Sequence, residues 1–135
     1  MIQSLQMVER YDDELVYQAI CKSMETLSVS DDLRPDLKVV IKPNLIIAKG
    51  PDIPATTHPV VVKAVVRWLK EHDISDITIA ESSGGPYNAE YMKHIYRVCG
   101  MNGVELDARL NMDFTARTVQ CAEGFANHTF HLITP

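Results

Sequence analysis

Two short segments hold most of the side chains that could do chemistry. In the first, a lysine and an amide precede a threonine-rich run, and in the second a carboxylate precedes two serines and two glycines. Ammonium and amide groups bind carboxylates and phosphates, and a carboxylate can act as an acid, a base or a metal ligand. The candidate residues are Lys42, Asn44, Thr56, Thr57, His58, Glu81, Ser82, Ser83, Gly84 and Gly85.

The first segment has the residue types of an anion site. Lys42 ends a predicted strand and can place its ammonium at the edge of a sheet, with the amide of Asn44 beside it. Thr57 and His58 precede Pro59, where a predicted helix begins and backbone N–H groups face outward. A threonine at a helix start is more often a cap than a ligand, so both interpretations stay open.

The second segment, residues 81–85, reads Glu-Ser-Ser-Gly-Gly. Paired glycines allow a backbone to approach a ligand closely, and the serines add hydroxyl donors. The segment does not match G-x-G-x-x-G, G-x-x-x-x-G-K-[ST] or the nucleophile elbow G-x-S-x-G. No motif therefore supports a dinucleotide site, a P-loop or a serine hydrolase. A tight turn is the structural alternative.

Metal and disulfide sites have weak support. Asp52, His58 and Glu81 could bind a divalent metal by residue type, but no spacing fixes their separation, and the metal stays unknown. The cysteines lack C-x-x-C spacing, which argues against a disulfide framework or a self-contained cluster and favours buried thiols. They are Cys21, Cys99 and Cys121.

Hydrophobic patterning predicts the elements that position these residues. Helices are expected from Asp12 or Asp13, from Pro59 and from about Asn88, and strands at 37–42 and 74–80. Shorter strands are expected at 2–8, 104–106 and 129–133, while 107–127 is weakly patterned. Alternation of strands and helices favours a single α/β domain over residues 1–135, a three-layer, Rossmann-like sandwich with a mostly parallel sheet. Ligands of such sheets bind beyond the carboxyl ends of the strands, which indicates the loops after Lys42 and Ala80.

Composition limits the classes of partner. The chain has 135 residues and a formal charge of −5, which argues against nucleic acid. It has neither an apolar run near the roughly 20 residues of a membrane span nor a signal-peptide pattern, so we expect a cytoplasmic protein without a membrane partner. An unpaired sheet edge would make a homo-oligomer one way to cover it.

Three sequence blocks together resemble domain-of-unknown-function family 362. They are residues 39–45 with K-P-N, 56–64 with T-H-P, and 77–85 with an acidic residue and small residues after a strand. The resemblance spans about residues 5–106, and Glu81 stands where the family usually has Asp. It implies the N-terminal part of a longer family domain, from an intracellular family of mostly undefined activity.

Many members of that family carry a separate ferredoxin-like module with two four-iron clusters. This chain has no cysteine-rich stretch, so no iron–sulfur cofactor can be assigned to it. The family also continues into a motif of the K-x-K-T-H kind that this sequence lacks. The resemblance therefore implies a truncated domain that holds the front portion of a larger site.

Two functions remain open at this point, and the sequence does not decide whether the chain is an enzyme. In the first, Lys42 binds an anionic group, Thr57 and His58 orient it, and Glu81 serves as acid, base or metal ligand. In the second, the same loops belong to a non-catalytic binding or assembly domain that completes its site with a partner chain.

Overall fold

The computed structural model describes residues 2–105, 107–120 and 129–133 of the chain. Within these described residues, three helices and five strands follow in the order α1, β1, α2, β2, α3, β3, β4, β5. Their bounds are α1 Asp13–Thr26, β1 Lys38–Ile41, α2 Pro59–Glu71, β2 Asp76–Ile79, α3 Ala89–Val98, β3 Arg109–Leu110, β4 Ala116–Gln120 and β5 Thr129–Ile133. Two short 3₁₀ helices lie at Val29–Asp32 and Met101–Val104.

All three helices begin where the sequence predicts. Asp12, His58 and Asn88 stand just before α1, α2 and α3, and each side chain accepts a hydrogen bond from a backbone N–H of the first turn. His58 therefore caps α2, and Pro59 occupies the first helical turn. No helix in the described residues is long and apolar enough to cross a membrane.

The predicted parallel sheet is confirmed. The strands β1, β2 and β3 lie side by side in that order, and both pairs are parallel. Val40 is paired with Thr78, and Thr78 with Arg109. The predicted strand at 129–133 is also confirmed as β5, which pairs antiparallel with β4 in a separate two-stranded sheet.

Two predicted short strands are wrong. Residues 2–8 form no strand, because their alternating apolar side chains do not pack: Leu5 and Met7 are almost fully exposed. Residues 104 and 105 do not form one either, since Gly100 ends α3 with a φ of 77° and the chain continues into the 3₁₀ helix Met101–Val104. The strand comes later, as β3, and residue 106 lies outside the described part.

One hydrophobic core joins the three helices to one face of the parallel sheet. Ile77 and Ile79 of β2 are fully buried in it, and Val39 and Ile41 of β1 pack against it. Because alternate residues of a strand point to opposite faces and paired residues share a face, the remaining side chains lie on the other side. We call this other side the outer sheet face; its residues are Lys38, Val40, Asp76, Thr78 and Arg109.

Candidate functional site

The first two strands bring Lys42 and Glu81 together at the carboxyl edge of the sheet. Ile41 is paired with Ile79, so the residues that follow both strands leave the sheet at the same level. The Lys42 Nζ lies 2.9 Å from Oε1 and 3.0 Å from Oε2 of Glu81. The Lys42 side chain is 65% exposed, whereas that of Glu81 is 3% exposed. The pair therefore presents an ammonium to solvent above a buried carboxylate.

Glu81 also receives two backbone hydrogen bonds. The Leu45 N–H donates to Oε2 at 3.2 Å, and the Ser82 N–H donates to Oε1 at 2.7 Å. A buried carboxylate is tolerated when its charge is paired and its oxygens are hydrogen-bonded, and both conditions hold here. Each oxygen is occupied by donors, so these contacts favour a positioning role for Glu81 over proton transfer.

The loop of residues 43–57 closes on itself through Asn44 and Thr57. The Asn44 N–H donates to Thr57 Oγ1 at 2.8 Å, and the Thr57 N–H donates to the Asn44 carbonyl at 2.9 Å. Leu45 and Thr56 form an antiparallel bridge next to this contact. The Thr57 hydroxyl thus closes the loop rather than capping α2. The Thr56 Oγ1 is buried and has no hydrogen-bond partner in the described residues.

His58 is held in place by two contacts of its own. Its Nδ1 accepts a hydrogen bond from the Val60 N–H at 3.2 Å, which requires this nitrogen to be unprotonated. Its ring stacks on Tyr11, with centroids 3.9 Å apart and planes 2° apart. In the described part of the chain no hydrogen bond or ion pair joins His58 to Lys42 or Glu81. These contacts account for His58 as the cap of α2.

The glycines of the second loop serve close packing. The Gly84 N–H donates to the Ile46 carbonyl at 3.3 Å, which fixes this loop against the first one. A Cβ on Gly85 would overlap Cε1 of the Tyr91 ring, closer than real contacts allow. Gly85 therefore leaves room for the far end of the Tyr91 side chain in its present position.

Three polar side chains remain accessible at this edge. Lys42, Asn44 and Ser82 are all exposed. The Asn44 amide and the Ser82 hydroxyl make no hydrogen bond with any residue that the structure describes. Ser83 differs, because its half-buried hydroxyl contacts the Met92 sulfur at 3.6 Å. The donors open to a ligand are thus the Lys42 ammonium, the Asn44 amide and the Ser82 hydroxyl.

The third strand adds a residue that sequence reasoning missed. Asn111 follows β3 directly, and it is buried. Its amide donates to the Tyr87 hydroxyl at 3.4 Å and to the Asp113 carbonyl at 3.3 Å, while its Oδ1 accepts from the Asp113 N–H at 3.0 Å. The position of a polar residue directly after a strand could have identified Asn111. Because the strand was expected at 104–106 instead, Asn111 was not among the candidates. Asn111 fixes the turn beside the site.

Tyr96 links the site to a neighbouring groove. Burial raises the pKa of Tyr96 to about 12, and a hydrogen bond with the Glu81 backbone opposes this rise. The same tyrosine lines an open groove of about 860 Å³ between α3 and the end of β3, together with Tyr91, Arg97 and Leu110. Lys42 does not line this groove. We place the candidate site at Lys42, because the Lys42 ammonium and the backbone N–H groups of Leu45 and Ser82 all bond to the same Glu81 carboxylate.

The described residues do not form a metal centre. No three His, Cys, Asp or Glu side chains among them are grouped so that they could hold one ion, and this includes Asp52, His58 and Glu81. Cys21 is half-buried and Cys99 is buried, so the predicted burial of the thiols is confirmed for Cys99. Cys121 lies outside the described residues. Within the described part of the chain, Cys21 and Cys99 belong to no group of three or more residues that could hold a metal ion.

Comparison with known proteins bears on the family. The family model described as Domain of unknown function (DUF362) matches residues 39–132. The chain belongs to this family. The match of this DUF362 chain begins at β1 and runs into β5, so it starts and ends later than the predicted 5–106. Searches of curated proteins and of solved structures each gave no match.

Proposed function

We propose that this DUF362 chain binds a small oxyanion, a carboxylate or a phosphate, at the carboxyl edge of its parallel sheet. The observation that carries the proposal is the exposed Lys42 ammonium held 2.9 Å from the buried Glu81 carboxylate. The Lys42–Glu81 pair has no net charge, so the ligand would be held chiefly by directed hydrogen bonds. Binding beyond the strand ends is the rule for open α/β sheets.

The contacts suggest a separate role for each candidate residue. Lys42, Asn44 and Ser82 would contact the ligand, and Glu81 would orient Lys42. The remaining candidates shape the two loops: Thr56, Thr57, His58, Ser83, Gly84 and Gly85. Catalysis by His58 and Glu81 receives no geometric support, because other contacts occupy His58 Nδ1 and both Glu81 oxygens.

Thermal unfolding with inorganic phosphate and with acetate, each at constant ionic strength, tests the proposal. A ligand that binds only the folded chain stabilises it by about 2.7 kcal/mol at 100 times its Kd. We expect a rise in Tm that is lost in Lys42→Met and retained in Lys22→Met, which removes an exposed lysine of α1. Phosphate and acetate distinguish the two ligand classes. An equal rise in wild type and Lys42→Met would refute the proposal.

A second candidate is an assembly domain that completes its site with a partner chain. The observation in its favour is that β1 has a strand partner on one side only among the described residues. A homo-oligomer through this edge, a cytoplasmic location and an iron–sulfur partner module stay predictions. Light scattering tests the first: a dimer that Val40→Pro dissociates would support it, and a monomer would exclude it.

A further inference from the structure

The N-terminal segment, residues 2–8, carries its apolar side chains on the outside. It runs without a turn, a bend or a helix, and its Ser4 and Gln6 side chains are half-buried. The residues that alternate with them, Leu5 and Met7, are 93% and 95% exposed. The Ser4 hydroxyl donates to a serine hydroxyl of α1 at 3.3 Å, which fixes the polar side of the segment inward. The apolar side chains therefore form a row that points away from the core.

The backbone of the N-terminal segment is also unpaired. No residue that the structure describes forms a backbone–backbone hydrogen bond with residues 4–8. An extended segment with open N–H and C=O groups can add to the edge of a β-sheet. A sheet edge fits the N-terminal segment better than a helix does, because the edge pairs with its backbone groups and aligns its alternate side chains.

The strand β1 offers such an edge in every copy of the chain. Among the described residues, β1 is the outermost strand of the parallel sheet and is paired on one side only. Its side chains alternate as those of the N-terminal segment do: Lys38, Val40 and Lys42 are exposed, whereas Val39 and Ile41 are half-buried. Within one chain no backbone hydrogen bond between described residues joins β1 to the N-terminal segment. Pairing of the two therefore requires a second copy.

The side chains favour this pairing over contact between two β1 edges. Two antiparallel β1 strands centred on Val40 would oppose Lys38 of one copy to Lys42 of the other. The N-terminal segment has no charged residue, so Met7 can lie beside Val40 without such repulsion. Glu9 follows two residues later and comes level with Lys42 in a parallel pairing or with Lys38 in an antiparallel one. An apolar pair is thus followed by an ion pair in either direction.

We propose that the N-terminal segment of one copy adds as a further strand to the β1 edge of a second copy, and the reverse. The two identical contacts close a two-fold dimer and leave neither edge open. Leu5 and Met7 would then cover Val40, which is 47% exposed in the single chain. The proposal rests on the homo-oligomer given as the second candidate function, and it names the segment that makes the contact.

Light scattering over a range of protein concentrations tests the exchange by measuring the Kd of the dimer. Met7→Asp places a carboxylate beside Val40, and we expect it to raise the Kd by about tenfold or more. Met112→Asp is the matched control, since Met112 is also exposed, and it should change the Kd by less than about twofold. Val40→Lys should weaken the dimer as well. Combining Val40→Lys with Met7→Asp should restore it, because an ammonium then faces a carboxylate.

The possible results separate this proposal from the homo-oligomer itself. A monomeric wild type overturns both. A dimer that Val40→Pro dissociates but Met7→Asp leaves intact overturns the exchange alone. A double variant that dimerises no more tightly than Met7→Asp also overturns it, because Met7 and Val40 are then not neighbours. Circular dichroism confirms that each variant keeps its fold.

Discussion

Lys42 and Glu81 form an ion pair whose two ends lie in different surroundings. The ammonium is 65% exposed, and the carboxylate, 2.9 Å away, is 3% exposed and receives the N–H groups of Leu45 and Ser82. The carboxylate therefore joins both loops of the site through one buried charge. An exposed lysine alone would be a flexible side chain, and this contact gives it a fixed direction.

Replacing Glu81 by glutamine should destabilise the chain by about 1–3 kcal/mol, since the amide NH₂ would face a backbone N–H and leave it buried without an acceptor. Urea unfolding of the variant measures this loss. Glu90→Gln is the control, because Glu90 is exposed on the first turn of α3 and should change stability by less than about 0.5 kcal/mol. Equal stability of Glu81→Gln and wild type would contradict the account.

Gly85→Ala should destabilise the chain by about 1 kcal/mol, the low end for overpacking, because the added methyl group would displace the far end of the half-buried Tyr91 side chain. Gly50→Ala is the matched control, since a Cβ there meets nothing within 4 Å. The second change Tyr91→Ala removes the overlapping ring, so we expect the cost of Gly85→Ala to be smaller in that background. If the two substitutions lower the free energy of unfolding of the double variant by the sum of their separate effects, a contact other than that with Tyr91 is responsible.

The free energy of unfolding should decrease at acid pH, because Glu71 becomes protonated. The Tyr17 hydroxyl and then Arg67 lower the pKa of Glu71 below its ordinary value of 4.5. A lowered folded-state pKa stabilises the chain above the unfolded pKa, and this stabilisation is lost as the pH falls through the folded value. Urea unfolding between pH 7 and acid pH should therefore show a smaller decrease in Glu71→Gln. Glu25→Gln on the exposed end of α1 should retain the wild-type slope.

His58→Ala should destabilise the chain by about 1 kcal/mol through loss of the α2 cap, whereas His58→Asn should recover most of the loss because asparagine is a good cap. Oxyanion binding should persist in His58→Asn, since the Lys42 contacts do not involve the imidazole. Urea unfolding and a phosphate titration of both variants measure these effects. Abolished binding in a stable His58→Asn variant would make His58 a ligand residue.

The sequence predicted those features that depend on local chemistry and on strand direction. Helix starts at Asp12, His58 and Asn88 follow from capping residues. Lys42 and Glu81 were expected near one another, because both follow parallel strands. Both predictions need only the order of the helices and strands along the chain.

The backbone path of the loops could not be predicted. The role of Glu81 depends on the Leu45 N–H, and that of Thr57 on the Asn44 N–H, neither of which has a sequence pattern. Asn111 was missed because Gly100 extends the end of α3 into a 3₁₀ turn and delays β3. Long-range contacts of this kind are decided by packing, which propensities do not encode.

The central claim is that the Lys42 ammonium, oriented by Glu81, binds a small oxyanion. A titration with inorganic phosphate at constant ionic strength, followed by the amide shifts of Asn44 and Ser82, tests it most directly. We predict saturating shifts in wild type and in Lys22→Met, and their loss in Lys42→Met. Shifts that do not saturate in wild type, or that saturate equally in Lys42→Met, would contradict the claim.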